Sequence, residues 1–293
     1  SAEFRKMWLL LGLGWVGTNI GYSVVGLPLR IMLKENMHVS AAMLSQFMFI
    51  GHSTNYIKPV AGILTDCFPL FGYHRRSYVL LNLCLCAFGY LLFSFLPHQY
   101  TLLLVTYTLM YMTVVFISTT LGGVMVQTGT RFRTSGRLSA QRIGSFRFAD
   151  VVGGLSGGFL AQFPLYFATS ITAFFHLMLF PLYYFHLKEE RDYTVNREGL
   201  QNAKRQFIAL FRNRSLMSAA VMIFLIAISP GFGTPLFYYQ RDVLHISTKY
   251  LGVLGVIGST CGVAGAWFYT RVCRRLTLRG ILCWSIVQHS IGT

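Results

Sequence analysis

Five residues recur at intervals of three and four along one hydrophobic stretch, and their side chains could contact a polar ligand. They are His52, Asn55, Lys58, Gly62 and Asp66, and this spacing predicts that they share one face of a helix. A lysine at the centre of a membrane helix costs roughly 2.5–3.5 kcal/mol, so it is rare without a use or a partner. We predict that this face lines a water-filled cavity in which Lys58 attracts an anionic substrate. The alternative is that Lys58 reaches the inner membrane surface or pairs with a carboxylate of another helix.

A second pair of charges lies in a later hydrophobic stretch. Arg147 and Asp150 are three residues apart, which is close enough on a helix for an ion pair. The pair could bind a zwitterionic or carboxylate substrate, or exchange a proton as the cavity opens. A purely structural pair is the alternative, because pairing lowers the cost of burying either charge.

Long apolar blocks must position these residues. Of the 293 residues, 54% are hydrophobic and 12% are charged, and the mean hydropathy is +0.53, whereas soluble domains carry about 25% charged residues. About 20 apolar residues cross a bilayer as a helix. We therefore predict an all-α polytopic membrane protein with eight complete spans and part of a ninth that begins near residue 280. The eight are 7–33, 41–66, 78–96, 100–128, 142–163, 166–187, 216–240 and 250–272.

The basic residues follow the loops and predict an orientation. The formal net charge is +16, and with a cytoplasmic N-terminus 19 of the 25 Lys and Arg residues fall in cytoplasmic loops and 4 on the opposite side. This asymmetry is the positive-inside rule. It explains the basic balance without nucleic acid as a partner and leaves the lipid bilayer as the surrounding phase. The plasma membrane is favoured over an organelle membrane.

The charged segment after the sixth span divides the chain. We predict an N-terminal six-helix bundle over residues 1–187, a cytoplasmic linker over 188–215, and the start of a C-terminal six-helix bundle over 216–293. Ser1 is not a methionine and Thr293 falls in an apolar run, so we expect a piece of a longer chain with twelve spans. Major facilitator transporters are built from two such bundles, with the substrate site between them at the bilayer midplane.

Glycine and proline interrupt several spans. Such residues permit kinks or close helix contacts in membrane helices, because neighbouring groups satisfy the freed backbone. Gly153, Gly154, Gly157 and Gly158 form two overlapping small-xxx-small patterns, which predict close packing of another helix. A second set is predicted to act as hinges; it consists of Pro59, Pro230, Gly231, Gly233 and Pro235.

The sequence carries no signature of a soluble enzyme. It has no phosphate loop, no His-Glu-x-x-His motif and no Gly-x-Ser-x-Gly motif. Its six cysteines match no zinc or disulfide spacing. We therefore predict that the protein is not an enzyme and that it has no catalytic residues, no cofactor and no metal site.

The tract from Lys58 to Arg76 carries a family resemblance. Its Gly62, Asp66 and Gly72, followed by the basic pair Arg75 and Arg76, resemble the cytoplasmic loop motif of major facilitator transporters. Its lengthened form, Lys-Pro-x-x-Gly before Asp-x-Phe-Pro-Leu-Phe-Gly-Tyr-x-Arg-Arg, resembles the folate-biopterin transporter family.

This resemblance implies a twelve-helix transporter of folates or pterins that works by alternating access and is driven by a cation gradient, with a proton as one candidate. In the superfamily the Asp and the basic pair lock the cytoplasmic ends of the bundles together. Lys58 and Arg147 become candidate contacts for the anionic glutamate or the pterin, and His52, Asn55 and Asp150 complete the candidate substrate site.

One stretch departs from the family pattern. Acidic residues commonly lie near the end of the fourth span in the family, whereas residues 121–130 contain no carboxylate. Three interpretations stay open: another substrate, another coupling scheme, or reliance on Asp150.

Two other functions compete with folate or pterin transport. The chain could transport another organic anion, or it could be a non-transporting membrane scaffold with the same fold. The buried charges argue against a scaffold, since a scaffold gains nothing by retaining them. A lipid-modifying enzyme would need a cluster of His and acidic residues near one interface, and the eight His residues are dispersed.

Overall fold

Helices account for almost all of the structure. The computed structural model describes residues 2–97, 99–227 and 233–272, together with residues 280, 283 and 287. It is 85% helical, and no strand forms within these residues, which confirms the predicted all-α fold. The helices are α1 (Ala2–Ile31), α2 (Ala41–Ser53), α3 (Lys58–Cys67), α4 (Arg76–Phe95), α5 (Tyr100–Phe132), α6 (Ser135–Leu160), α7 (Leu165–His186), α8 (Arg197–Arg212), α9 (Arg214–Ala227), α10 (Gly233–Asp242) and α11 (Thr248–Val272).

Four helical segments of the described part are long and apolar enough to cross a membrane. They are Glu3–Asn36, Arg76–Phe95, Tyr100–Phe132 and Leu165–His186. Large apolar side chains on these helices stay exposed, such as Phe95 at 84% and Phe174 at 64%, as expected of surfaces that face lipid. The other four complete spans stay predictions, and nearly all of the ninth lies outside the described residues.

The second predicted span is broken into three pieces. The Ser40 hydroxyl caps the start of α2 by accepting from the Met43 amide at 3.3 Å. A 3-10 turn over Thr54–Ile57 separates α2 from α3. Pro59 lies in the first turn of α3, where a missing N–H costs no helical hydrogen bond. The break places Lys58 at a helix start, directly after the turn.

The loop between α3 and α4 is compact. Leu70 and Tyr73 exchange two backbone hydrogen bonds of 3.0 and 3.1 Å. Gly72 has φ +78°, a left-handed conformation that glycine adopts at little cost. The turn brings the Asp66 end of α3 close to the basic pair that begins α4.

The helix α6 begins earlier than predicted. Arg133 ends α5 in the left-handed conformation, and its N–H donates to the carbonyls of Gly129 and Thr130. The next helix starts at Ser135, seven residues before the predicted start at Arg142. The prediction followed hydropathy alone, and the first two turns of α6 are polar. Arg142 is therefore inside a helix and not at its end.

The four glycines of α6 pack against two helices. A Cβ on Gly153 would lie 2.2 Å from the Cβ of Ser23 in α1. On the adjacent face, a Cβ on Gly158 would lie 2.8 Å from the Cα of Gly252 in α11. The small residues thus let three backbones approach closely. The prediction of one partner helix was incomplete, since the two overlapping patterns serve α1 and α11 separately.

Candidate functional site

The predicted polar face follows the broken second span. His52 lies in the last turn of α2, Asn55 in the 3-10 turn and Lys58 at the start of α3. The side-chain amide of Asn55 donates from Nδ2 to the backbone carbonyl of His52 at 2.9 Å. The structure therefore keeps these three residues on consecutive turns.

Tyrosine rings surround His52, and sequence reasoning missed them. The ring centroid of His52 is 5.4 Å from Tyr22 of α1 and 4.8 Å from Tyr111 of α5. Tyr107, one turn before Tyr111, places its hydroxyl 3.4 Å from His52 Nε2. The spacing of four residues between Tyr107 and Tyr111 was the signal in the sequence, because such residues share a helix face.

Lys58 is influenced electrostatically by a second cation, Arg142. The Lys58 side chain is exposed, and the two groups repel each other electrostatically. Arg142 is held in place by aromatic rings, with its guanidinium 4.6 Å from the Trp15 ring and 5.4 Å from the Phe146 ring. Two cations that repel each other are both stabilised by an anion that binds near them.

Asp150 and Arg147 form the predicted pair, and each also reaches another helix. Their closest N–O distance is 3.7 Å. One Asp150 oxygen accepts from Asn19 Nδ2 at 2.7 Å and from Ser23 Oγ at 2.8 Å, which ties α6 to α1. The Arg147 guanidinium lies 3.2 Å from where a Cβ on Gly262 of α11 would stand. The pair thus sits where α1, α6 and α11 meet.

The loop motif forms an ion pair inside the first half of the chain. Arg75 donates to one Asp66 oxygen from Nη2 at 2.8 Å and from Nε at 3.2 Å. Arg76 donates to the Tyr184 carbonyl at 2.7 Å and lies over the Tyr184 ring. The motif therefore ties α3 and α4 to the end of α7. Its predicted role in locking the two bundles stays a prediction.

The segment after α7 closes over this loop. Glu189 accepts backbone hydrogen bonds from His74 at 3.2 Å, Arg75 at 3.1 Å and Arg76 at 2.8 Å, at the start of α4. The Asn196 amide donates to the Cys67 carbonyl at 3.0 Å. We call residues 188–196 the linker clamp. Nothing local in the sequence links it to the loop, since more than 100 residues separate them.

Asp192 adds a charged contact to the linker clamp. Its carboxylate accepts from the Thr194 hydroxyl at 2.6 Å and from the Thr194 amide at 2.8 Å. These hydrogen bonds lower the pKa of Asp192. The carboxylate lies 3.6 Å from His74 Nε2, which joins the linker clamp to the loop before α4.

We expect Glu189→Ala to destabilise the loop motif. The substitution leaves the backbone N–H groups of His74, Arg75 and Arg76 without this acceptor. The loss of such a helix cap costs about 1–2 kcal/mol. The melting temperature of the purified full-length protein in detergent should fall by about 2–4 °C per kcal/mol. Glu190→Ala, at an exposed neighbour, is the control and should leave the melting temperature unchanged. Equal values for the two variants would contradict the role of Glu189.

At the end of the protein opposite to the loop motif, two ion pairs join α10 to the short π-helix Met32–Asn36 that follows α1. Lys34 pairs with Asp242, and Glu35 pairs with Arg241. Opposite charges alternate on both segments, so each charge meets its partner. These ion pairs therefore hold α10 against the first half of the chain.

The predicted hinge residues fall into three groups. Pro59 follows the 3-10 break in the second span. Gly233 and Pro235 lie in the first turn of α10. Pro230 and Gly231 lie outside the described residues. Hinge motion at these positions stays a prediction.

Comparison with known proteins assigns this chain to a family. The sequence profile of the BT1 family matches residues 20–293. The chain belongs to the BT1 family. This family is one of the MFS-like transporters, so the predicted resemblance is confirmed. BT1 family members are transporters and not enzymes, and this BT1 chain is an integral membrane protein.

Curated relatives of this BT1 chain carry folate transport in their names. The chain is 28% identical over 279 residues to "Folate-biopterin transporter" of Synechocystis sp., which covers 90% of the chain and 54% of that protein. It is 24% identical over 267 residues to "Folate transporter 1" of Plasmodium falciparum, and this match covers 89% of the chain and 52% of that protein. "Folate transporter 2" of the same organism is 22% identical over 276 residues, and the match covers 91% of the chain and 59% of that protein. The chain thus spans about half the length of the curated relatives it matches.

Proposed function

We propose that the protein is a secondary active transporter of folates or pterins that works by alternating access. The observation that carries this proposal is the set of cations and aromatic rings that α1, α2, α3, α5 and α6 present to one another around His52 and Lys58. A folate combines a flat heterocycle with carboxylates, and the site offers rings for the first and cations for the second. The printed names of the relatives support the same substrate class.

Five residues are proposed to bind substrate. Lys58 attracts its negative charge, and Asn55 and His52 contact it one and two turns away. Arg147 and Asp150 stand where α6 meets α11, so a movement of α11 against α6 changes their surroundings. Asp150 is proposed to exchange the coupling proton, because it lies where α1, α6 and α11 meet, whereas Asp66 pairs with Arg75 in the loop motif.

The proposed architecture has two bundles and a linker. Residues 1–187 form the first bundle, residues 188–215 a cytoplasmic linker, and residues 216–293 the start of the second bundle. The N-terminus is proposed to be cytoplasmic, with the protein in the plasma membrane. The close contact between Gly158 and Gly252 supports this division, because small residues let two packed helices rock against each other.

Opposite ends of the protein are proposed to open in turn. The ion pairs of Lys34 and Glu35 with α10 are proposed to close the outer end. The motif residues Gly62, Asp66, Gly72, Arg75 and Arg76 are proposed to gate the cytoplasmic end. Both sets of charges are partly exposed, so they can exchange their partners for water at a modest cost.

Uptake by cells tests this proposal. Cells without folate uptake of their own would express the full-length protein and receive labelled folic acid or labelled biopterin at pH 5.5 and 7.4. We expect saturable uptake of at least one compound, and faster uptake at pH 5.5 if a proton drives entry. If neither compound enters although the protein reaches the surface, folate and pterin transport is wrong for this protein. A screen of other organic anions then tests the broader proposal.

A further inference from the structure

The rings around His52 form a surface that the proposed role of the cations does not use. We call the side chains of Tyr22, His52, Tyr107 and Tyr111 the aromatic wall. Neighbouring centroids are 5.4 Å apart for Tyr22 and His52, 4.8 Å for His52 and Tyr111, and 6.0 Å for Tyr107 and Tyr111. Three helices thus bring four rings into one continuous contact.

The aromatic wall is not merely part of the hydrophobic core. Tyr107 is buried, but Tyr22 is 38% exposed and His52 and Tyr111 are partly exposed. Exposed faces of packed rings are surfaces on which another flat ring can stack. The buried Tyr107 ring packs behind the three exposed rings, and its hydroxyl hydrogen bonds with His52 Nε2.

Polar groups border the exposed rings. Asn55 lies in the 3-10 turn directly after α2, where its side-chain amide donates to the His52 carbonyl, and Arg30 donates to the Tyr22 hydroxyl at 3.5 Å. A heterocycle that stacks on the wall would therefore meet an amide, a guanidinium and an imidazole at its edge. Donors and acceptors at the edge match a pteridine, whose ring atoms alternate between the two.

The cations lie at a defined distance from the wall. Six residues separate His52 from Lys58, which is about 9–12 Å along a helix with 1.5–2.0 Å rise per residue. Arg142, whose guanidinium lies over the Trp15 ring, adds its positive charge to the field at Lys58. A ligand with a flat ring at one end and carboxylates at the other fits this layout in one direction only.

We infer that the pteridine ring stacks on the aromatic wall while the carboxylate tail of a folate extends toward Lys58 and Arg142. This inference rests on the proposed function and gives the substrate an orientation. Biopterin has the ring without the carboxylate tail, so it would use the wall alone. The wall thus selects for the ring, and the cations separate folates from pterins without a carboxylate.

Kinetics of uptake with paired substrates test this orientation. Tyr111→Leu removes a stacking ring from the full-length protein and should raise KM for folic acid and for biopterin by roughly fivefold or more. Lys58→Gln should raise KM for folic acid roughly tenfold more than it raises KM for biopterin. Tyr22→Leu, at the most exposed ring, repeats the first test with less disturbance of folding.

Matched controls separate the inference from the proposed function. Tyr56→Leu removes a tyrosine that is 80% exposed and lies next to Asn55, so it should leave both KM values unchanged. The orientation is wrong if both leucine variants at the wall keep normal KM values, or if Lys58→Gln affects the two compounds equally. Absence of uptake by the unaltered protein overturns the proposed function itself, whereas normal uptake with unaffected variants overturns only the orientation.

Discussion

Gly153→Ala should prevent stable packing of α6 on α1. The added Cβ would lie 2.2 Å from the Cβ of Ser23 and 2.5 Å from its backbone carbonyl carbon, and a backbone cannot yield as the end of a flexible side chain can. Overpacking of this kind costs about 1–3 kcal/mol or more. The shift would also pull Ser23 away from Asp150, so the cost includes a hydrogen bond to a charged group. We expect most of the variant to be lost from the membrane fraction.

Gly144→Ala is the matched control for this prediction. Gly144 lies on the same helix, and a Cβ there would meet nothing within 4 Å. Alanine is the better helix former by roughly 1 kcal/mol, so this variant should be at least as stable as the natural protein. Amounts of folded protein, measured by fluorescence-detected size exclusion in detergent, compare the two. Equal amounts would contradict the close contact between α1 and α6.

Asp150→Asn should abolish most uptake while the fold survives. The asparagine oxygen can still accept from Asn19 and Ser23, whose donors lie at 2.7 and 2.8 Å, but it cannot exchange a proton or balance Arg147. We expect uptake at pH 5.5 to fall roughly tenfold or more. The difference between uptake at pH 5.5 and at pH 7.4 should also disappear.

The pH comparison separates coupling from structural damage. A variant that is only less stable would lose uptake in proportion at both pH values and would keep their ratio. Glu190→Gln neutralises an exposed acid of the linker clamp that makes no described side-chain contact, and it should keep both the rate and the ratio. Persistence of the pH ratio in Asp150→Asn would show that the coupling proton binds elsewhere.

Local rules were enough to predict which of the candidate residues lie next to one another. The spacing from His52 to Lys58 is set by helix geometry, and the three residues lie on consecutive turns even though the span is broken. Arg147 and Asp150 are also neighbours along one helix, so their pairing needed no knowledge of tertiary structure. Hydropathy likewise predicted the helices, because a bilayer demands long apolar stretches.

Contacts between distant segments could not be predicted in this way. Tyr22 and Tyr111 meet His52 from two other helices, and apolar periodicity gives no reason to single out these tyrosines. Glu189 joins the start of α4 from a segment more than 100 residues away. Arg142 was placed at the start of its span because the polar first turns of α6 cannot be recognised as helix from hydropathy.

The most direct test of the account is exchange of substrate by purified protein. The full-length protein would be placed in liposomes loaded with unlabelled folic acid, and entry of labelled folic acid would be measured against empty liposomes. Alternating access predicts that internal substrate speeds the entry of label, since the loaded carrier returns with substrate bound. The contrary result is that folded protein admits no labelled folic acid, that internal folic acid does not speed the entry of label, and that labelled biopterin gives the same result. The protein would then not be the folate or pterin carrier proposed.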